Sequence, residues 1–523
     1  MKISLDWLTA RCAVITLEGG GLYRLNSPCK LWLNGAFYGD TDRVVTPVFG
    51  LRPETAYTLR AESQAGEGET LAFTTPREFV TLNVKDFGAK GDGLANDTGA
   101  IQAAILACPA ESRVLMPKGV YRVSHLFLAS GLRLELARGA VLAGIPSRQG
   151  LPVLPGMVES TNEQGEYNLG SWEGNPLPMF ASLLTGIHVK NVEVYGEGVL
   201  DGMAAKDNWW QNPKRLQTAW RPRMVFLNGC ENIALVGLQV QNSPAWHIHP
   251  YFSREIRLLG LEICSPQDSP NTDGIDPESC TGVQIKGVRF SLGDDCIALK
   301  AGKRYMGDKY TTPCAEVQIT HCEMGDGHGA VTLGSEMSGG ICNVLVEDCA
   351  FHDTDRGLRI KTRRGRGAHA IIDGITFRRI HMKNVKTPFT ANCFYCCDPD
   401  GHAPAVQDRQ ARPVDAGTPE IKALSFEQIQ CVDCHAAAAY FLGLPERPIG
   451  SIAMREVNIS FAENPQADAP IMTAGIAPRV RQGMVVENVA LLQLENVTLC
   501  GAEGEALQLR NVAQCSQKGG NLQ

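Results

Sequence analysis

The chain has no long apolar run and no excess of positive charge. No stretch of about 18 consecutive apolar residues occurs in its 523 residues, so the sequence predicts no membrane-spanning helix. The formal net charge is −7, so we expect no general attraction to nucleic acid. An anionic ligand would therefore need a local group of cations. The 54 glycines, in contrast, indicate many turns and few long helices.

The first residues also lack the pattern of an export signal. Asp6 and Arg11 interrupt the first apolar stretch, and no small-residue cleavage site follows it. In a large chain of this kind, the 18 cysteines are expected to be free, buried thiols rather than disulfides. On these grounds the sequence predicts a cytoplasmic protein.

Residues 1–80 show the pattern of a small β-sandwich. Short alternating runs are separated by Gly, Asn and Pro, as between the strands of an antiparallel sheet. The segment Leu51–Tyr57 resembles the tyrosine corner of fibronectin type III domains, where a Tyr hydroxyl bonds back to the main chain. We expect this fibronectin type III-like domain to act as a spacer, cap or oligomer contact and to carry no chemistry.

Residues 81–515 are predicted to form a second, larger domain. Asp97 is a candidate N-cap for a short Ala-rich helix over residues 99–106. The segment Asp86–Gly93 and this helix resemble the entry of right-handed parallel β-helix enzymes that act on pectin. In that fold the helix covers strand edges at the open end of the solenoid.

A repeated apolar pattern then runs through the second domain. One copy consists of Ile256, Leu258, Leu261 and Ile263, in which period-two alternation is broken once by two residues. The first apolar positions of the ten copies are Ile187, Ile233, Ile256, Val283, Val317, Val344, Ile375, Leu424, Ile452 and Leu492. Stacked copies would form parallel sheets around a continuous core, so the pattern predicts a solenoid. Longer gaps at about residues 145–180, 203–222, 300–314 and 386–420 predict loops on its flanks.

Four polar segments follow successive copies of this pattern. They are Asn271–Gly274, Gly293–Cys296, Gly327–Gly329 and Arg359–Lys361. Each alone could be turn chemistry or a solvated corner. Together they would place three carboxylates, one histidine and two cations side by side on neighbouring turns. Such a set indicates a glycosidase site for an acidic sugar.

The order and residues of these segments resemble the polygalacturonase family, glycoside hydrolase family 28. The resemblance extends over nearly all of residues 84–500 and includes Asn242–Pro244 with Trp246, Gly196–Gly202 and Phe394–Gly401. It implies an all-β, right-handed parallel β-helix behind the front sandwich. The length and the front domain are most similar to the bacterial exo-acting branch.

The resemblance also implies catalytic roles. Asp294 would be the general acid that protonates the leaving glycosidic oxygen. Asp273 and Asp295 would hold and deprotonate the attacking water in an inverting hydrolysis of α-1,4-galacturonosyl linkages, and His328 would help to set the protonation of the acid. Three close carboxylates repel one another, so at least one should have a raised pKa.

Substrate contacts are implied in the same way. Arg359 and Lys361 would bind the carboxylate of the leaving-group galacturonate, because residues two apart on a strand face the same side. Asn271 would bond sugar hydroxyls, and Tyr395 is a weaker candidate for the same subsite. The expected partner is polygalacturonate or a pectic oligosaccharide.

Several alternatives stay open at the level of the sequence. The pairs Cys393/Cys396 and Cys431/Cys434 have the spacing of a zinc set, although the gap between them is longer than usual. A calcium-dependent pectate lyase is another metal-based alternative, but the ordered polar segments favour hydrolysis without metal or cofactor. A hydrolase of rhamnogalacturonan or xylogalacturonan and a non-catalytic glycan-binding β-helix are further possibilities.

Overall fold

In the computed structural model, which describes residues 1–63, 66, 68–159 and 166–522, the first seven strands form two antiparallel sheets around a shared core. The strands are β1 (Lys2–Leu8), β2 (Cys12–Glu18), β3 (Arg24–Leu33), β4 (Ala36–Arg43), β5 (Val45–Phe49), β6 (Ala56–Glu62) and β7 (Thr70–Thr74). Their orders are β1-β2-β5 and β4-β3-β6-β7. The Tyr57 hydroxyl accepts the Arg52 N–H at 2.8 Å, which confirms the predicted tyrosine corner.

The solenoid begins with short strands and one helix. Its first elements are β8 (Thr81–Asn83), a 3-10 turn (Val84–Phe87), β9 (Asp92–Asn96), α1 (Thr98–Ala107), β10 (Arg113–Met116), β11 (Gly119–Val123), β12 (Leu126–Phe127), β13 (Arg133–Leu136) and β14 (Ala140–Gly144). The helix is confirmed. However, the Asp97 carboxylate does not cap it; this side chain accepts the N–H groups of Lys90 and Gly91 instead.

Two small antiparallel ribbons and then regular turns follow. The ribbon strands are β15 (Val153–Leu154), β16 (Met157–Glu159), β17 (Glu166–Asn168) and β18 (Met179–Phe180). The next strands are β19 (Leu184–Ile187), β20 (Lys190–Gly196), β21 (Val199–Asp201), β22 (Val225–Asn228), β23 (Glu231–Val236), β24 (Gln239–Gln241), β25 (Ile248–Tyr251), β26 (Arg254–Leu259), β27 (Glu262–Cys264), β28 (Thr281–Lys286), β29 (Arg289–Leu292) and β30 (Ile297–Leu299).

The second half of the solenoid contains longer strands and two short helices. These elements are α2 (Arg304–Tyr310), β31 (Cys314–Thr320), β32 (Glu323–Asp326), β33 (Val331–Gly334), β34 (Ile341–His352), β35 (Arg356–Lys361), β36 (Ile371–Lys383), β37 (Thr387–Asn392), α3 (Pro404–Gln407), β38 (Glu420–Ile421), β39 (Ala423–Cys434), β40 (Ala437–Leu442), β41 (Ile449–Phe461), β42 (Gln482–Glu495), β43 (Thr498–Cys500), β44 (Leu507–Lys518) and β45 (Asn521–Leu522). The longest helix in the described residues has ten residues, too few to span a bilayer.

Parallel pairing between turns confirms the β-helix. The first apolar positions of nine predicted copies pair in unbroken register from Ile233 to Leu492. The first copy was placed wrongly, because Val192 and not Ile187 pairs with Ile233. The corner at Gly196–Gly198 holds one extra residue, which hides the repeat in the sequence. Beyond the last predicted copy, β44 and β45 add a further rung.

The front sandwich is docked against one corner of the solenoid. Gly237, Gly260 and Gly287 occupy this corner on three successive turns, each with positive φ. Alternate residues of β5 lie over them, one per turn. A Cβ at any of the three glycines would lie within 3.0 Å of Phe49, Pro47 or Val45, respectively. The absence of side chains therefore lets the sandwich pack closely, and a salt bridge of 2.6 Å between Lys286 and Asp6 reinforces the contact.

We predict that Gly287→Ala destabilises the protein more than Gly282→Ala does. Both glycines have positive φ, so both variants carry the backbone strain of about 1–2 kcal/mol. Only the Cβ at residue 287 would collide with Val45, since the nearest atom at residue 282 is 3.6 Å away. Overpacking should add about 1–3 kcal/mol, measurable by urea unfolding. Equal losses in the two variants would show that the corner is loosely packed.

Candidate active site

The predicted catalytic carboxylates occupy equivalent positions on adjacent turns. Asp273 and Asp295 each lie two residues before the paired core residues Ile275 and Ile297. The main chain confirms this stacking, because the Gly274 N–H donates to the Asp295 carbonyl at 3.0 Å. Oxygens from Asp273, Asp294 and Asp295 all lie within 4.8 Å of one another. The solenoid register thus brings the three predicted carboxylates together.

Asp295 is held by two cations from β35, which lies two turns further along the solenoid. Arg359 Nη1 donates to its Oδ1 at 2.8 Å, and Lys361 Nζ donates to its Oδ2 at 2.9 Å. Burial would raise the pKa of Asp295, but the charges of Lys361 and Arg359 outweigh burial and hold it well below its ordinary value. Asp295 is therefore an ionised carboxylate. The prediction assigned both cations to the substrate, whereas the structure places them on Asp295.

Gly329 leaves the space for this ion pair. It stacks on Asp295, since the Cys296 N–H donates to the Gly329 carbonyl at 2.8 Å. A Cβ at residue 329 would lie 2.5 Å from Thr332 Oγ1, 2.8 Å from Asp295 Oδ1 and 3.3 Å from Arg359 Cδ. The second glycine of the Gly-His-Gly segment is thus required by packing around the carboxylate.

Asp294 is the accessible member of the three carboxylates. Its side chain is 22% exposed, compared with 1% for Asp295. His328 Nδ1 lies 3.3 Å from Asp294 Oδ1, and this hydrogen bond raises the pKa of His328 above its ordinary value. A histidine that is largely cationic at weakly acidic pH therefore stands beside the carboxylate predicted to be the acid.

A third cation, Lys300, was not predicted from the sequence. Its Nζ lies 4.0 Å from Asp273 Oδ2, 3.7 Å from Asp276 Oδ2 and 3.3 Å from Glu336 Oε2. It also lies 4.4 Å from the centroid of the Trp246 ring. Burial and repulsion from Asp276 raise the pKa of Asp273 well above its ordinary value. The repeat could have identified Lys300 as a site residue. It follows the core residue Ile297 by three positions, just as Lys361 follows Leu358.

The two remaining predicted residues border the same site. Asn271 Oδ1 accepts a hydrogen bond of 2.6 Å from Arg221 Nη2, which orients its amide. Tyr395 is buried, and the centroid of its ring lies 5.7 Å from Lys361 Nζ. All eight predicted site residues thus line one cleft.

The cleft has a volume of about 610 Å³ and is walled by loops from both flanks. Predicted loops contribute Glu173, Lys214 and Asp398. A further wall, formed by residues 468–472, was not predicted. Arg356 anchors it through Asp468 Oδ2 at 3.1 Å and through the Ala469 carbonyl. Loops that separate regular turns thus shape the site over the rigid solenoid.

The cysteine pairs considered for zinc do not converge. Across residues 1–63, 66, 68–159 and 166–522, the one group of three or more potential ligands within binding distance is Asp273, Asp294 and Asp295. Positive charge already lies against two of these carboxylates, from Lys300 on Asp273 and from the Arg359/Lys361 pair on Asp295. Two of the three possible ligands are thus already in contact with the protein's own cations.

Comparison with known proteins identifies the family. The profile for glycosyl hydrolases family 28 matches residues 160–471, more than half of the chain. The chain belongs to this family. The enzyme is therefore a glycoside hydrolase. A second profile, described as rhamnogalacturonase A/epimerase, pectate lyase-like, matches residues 81–213.

Individual relatives agree with this assignment. The chain is 29% identical over 446 residues to a probable polygalacturonase of Vitis vinifera, covering 83% of this chain and 85% of that protein. It is 27% identical over 421 residues to an exo-poly-alpha-D-galacturonosidase of Dickeya chrysanthemi, covering 69% and 67%.

Solved structures share the fold. A family 28 exopolygalacturonase of Yersinia enterocolitica superimposes with a TM-score of 0.67 at 18% identity, covering 99% of this chain and 98% of that one. An exopolygalacturonase of Thermotoga maritima gives a TM-score of 0.63 at 24% identity, covering 81% and 93%. The first of these comparisons includes the front sandwich.

We predict that Gly329→Ala lowers the hydrolytic kcat/KM by about 100-fold, because the added methyl group displaces Asp295 from Arg359. Gly39→Ala is the control, since no atom lies within 4 Å of a Cβ at that position and its φ is ordinary. Steady-state kinetics, together with circular dichroism to confirm folding, make the test. Unchanged turnover in a folded Gly329→Ala variant would contradict the packing requirement.

Proposed function

We propose that the enzyme hydrolyses α-1,4-galacturonosyl linkages of polygalacturonate and its oligosaccharides, releasing sugars from one chain end. The observation that carries this proposal is the carboxylate set in the cleft, where Asp295 is clamped by Arg359 and Lys361 beside the accessible Asp294. The names of the relatives, a probable polygalacturonase and an exo-poly-alpha-D-galacturonosidase, support the substrate.

Asp294 is assigned the role of general acid. It is the most exposed of the three carboxylates, so it can reach a glycosidic oxygen bound in the cleft. His328 is close enough to hold its orientation during proton transfer. General acid catalysis of this kind contributes about 10²–10⁴-fold in rate.

Asp295 and Asp273 are assigned to the attacking water. One oxygen of each of Asp273, Asp294 and Asp295 lies within 4.8 Å of the others. This distance is shorter than the separation of about 6.5–9.5 Å that is usual between the two catalytic carboxyl groups of inverting glycosidases. It nevertheless suits one water that bonds to two oxygens, which spans about 4.6 Å at ordinary hydrogen-bond lengths. Since Asp295 stays ionised, it can accept a proton from such a water. Inversion at the anomeric carbon is the expected outcome.

Arg359 and Lys361 keep the role of binding a substrate carboxylate, shared with Asp295. Arg359 Nη1 bonds to Asp295, while its Nη2 lies 3.0 Å from Met472 Sδ in the cleft wall. The Lys361 ammonium has three donors, and one is used on Asp295. The donors left over can therefore face an acidic sugar, which fits a galacturonate better than a neutral one.

The loops that wall the cleft support cleavage from a chain end. The segment Trp172–Asn175 folds on itself, and the Lys303 N–H donates to the Gly174 carbonyl at 2.8 Å. A Cβ at Gly174 would meet Glu336 and the Lys303 main chain within 3.0 Å, so this segment packs tightly over the cleft floor. A wall at this place shortens the groove available to a polymer.

We predict that Asp294→Asn lowers kcat on oligogalacturonides by about 10²–10⁴-fold, because the amide cannot donate an acidic proton. Retention of oligogalacturonide binding, measured by calorimetry, would place the defect in chemistry. Asp326→Asn is the control, since Asp326 lies on β32 and pairs with Gln267 and Ser291, not with the catalytic carboxylates. If Asp294→Asn turned over substrate as fast as the unsubstituted enzyme, Asp294 would not be the general acid.

We predict stepwise release of monomer or dimer from defined oligogalacturonides, with inversion seen by proton NMR of the fresh product. Chromatography of early products makes the test. A ladder of mid-sized products would overturn end-wise action but keep the galacturonan assignment. Cleavage of xylogalacturonan or rhamnogalacturonan in place of galacturonan would move the substrate to branched pectins.

A further inference from the structure

Acidic side chains outnumber lysines and arginines in the lining of the cleft, although the proposed substrate is a polyanion. Repulsion between such a lining and the substrate has to be offset by cations that are available to the substrate. With one exception, the lysines and arginines of the lining already lie within 4.0 Å of a protein carboxylate, as do Lys300, Arg356, Arg359 and Lys361.

The exception is Lys214. Its side chain is exposed and lines the cleft. Across the part of the chain that the structure describes, no carboxylate oxygen lies within 4.0 Å of its Nζ. Its ammonium group therefore has three donors and a full positive charge to offer to a ligand.

A tight turn presents Lys214 to the cleft. The turn consists of residues 212–215, and the Arg215 N–H donates to the Asn212 carbonyl at 3.0 Å across it. Pro213 is the second residue of this turn, a position that suits the fixed φ of proline. Lys214 is therefore the third residue of a turn whose main chain is restrained.

Two buried tryptophans fix the loop that carries this turn. Trp210 Nε1 donates to the Ser243 carbonyl at 3.1 Å. The Trp209 ring packs edge-on against Phe180 at a centroid distance of 6.0 Å, and the Arg148 guanidinium lies 4.5 Å from the centroid of the Trp209 ring. The solenoid and its flanking segments thus hold the loop in place beside the cleft.

The fold places Lys214 and the Arg359/Lys361 pair on opposite sides of the catalytic carboxylates. The loop of Lys214 leads into β22, which lies two turns before the turn of Asp273, because β22 pairs with β25 and β25 pairs with Ile275. The pair lies on β35, two turns beyond the turn of Asp295. Along the solenoid axis, the catalytic carboxylates therefore lie between two sources of positive charge.

We propose that Lys214 is a substrate-binding residue that holds the carboxylate of a galacturonate on the opposite side of the cleaved bond from the sugar bound by Arg359 and Lys361. Every sugar of a galacturonan carries a carboxylate, so a chain that spans the cleavage point offers one to each group of cations. This inference deepens the proposed function and rests on the substrate proposed there. Lys214 would bind the substrate without contacting the reacting atoms.

Steady-state kinetics of Lys214→Met on trigalacturonate test the proposal. The expected result is a rise in KM of about 10-fold with kcat unchanged, because a charge-assisted contact away from the reacting atoms stabilises the bound substrate and the transition state equally. A fall in kcat with unchanged KM, or no change in either, would overturn the proposal.

Arg215→Met is the matched control. Arg215 neighbours Lys214 in the same turn and is exposed, but it does not line the cleft. Its substitution removes the same charge, so its KM should stay within about twofold of that of the unsubstituted enzyme. Equal rises of KM in the two variants would mean that only the general field of the loop acts, and would overturn the assigned contact.

A charge-conserving variant and added salt test the nature of the contact. Lys214→Arg keeps the positive charge, so its KM should stay closer to that of the unsubstituted enzyme than the KM of Lys214→Met does. Because salt screens charge pairs, added NaCl should weaken trigalacturonate binding less in Lys214→Met than in the unsubstituted enzyme. An identical salt dependence in the two proteins would contradict an ionic contact.

Calorimetric titration with trigalacturonate separates this inference from the proposed function. If the unsubstituted enzyme bound trigalacturonate but cleaved no galacturonide, the proposed function would fail, while weaker binding to Lys214→Met would still support the contact. If cleavage occurred but both proteins bound trigalacturonate equally, the inference alone would fail. If the unsubstituted enzyme did not bind trigalacturonate, both would be overturned.

Discussion

The in-register stacking of parallel turns is the constraint on which the site depends. Each turn hydrogen-bonds to the next with equivalent positions aligned. Two residues at the same position on adjacent turns therefore lie about 4.8 Å apart. Asp273, Asp295 and Gly329 share one slot on three turns, and Lys300 and Lys361 share another. The main-chain pairing of the turns therefore decides which side chains are neighbours in the site.

This stacking has an electrostatic cost that the enzyme offsets locally. Carboxylates on adjacent rungs repel one another, and burial strengthens that repulsion. The cations are distributed unequally over them. Asp295 has two in direct contact, Asp294 has a histidine, and Asp273 shares one lysine with two other acids. Because the cations are shared unequally, the three aspartates differ in their affinity for a proton. Acid–base catalysis requires such a difference between the group that donates a proton and the group that accepts one.

Much of this arrangement could be predicted because it is periodic. Nine copies of the apolar pattern, the tyrosine corner at Tyr57 and the meeting of Asp273, Asp294 and Asp295 follow from spacing and local chemistry. The first copy was misplaced because one extra corner residue breaks the period. The wall at 468–472 could not be found, since its position depends on a contact with Arg356, 112 residues earlier. Pairing of Arg359 and Lys361 with Asp295 depends on side-chain reach across turns, which spacing along one strand does not reveal.

The glycine corner under the front sandwich limits where this scaffold can change in evolution. Gly260 and Gly287 flank in sequence the turn that carries Asp273, and both are covered by β5. An insertion at that corner would have to displace a whole domain, whereas an insertion on the cleft side would lengthen one of the loops that already border the cleft. New specificities can therefore arise by lengthening loops on one flank, while the opposite flank preserves the register that keeps the carboxylates aligned.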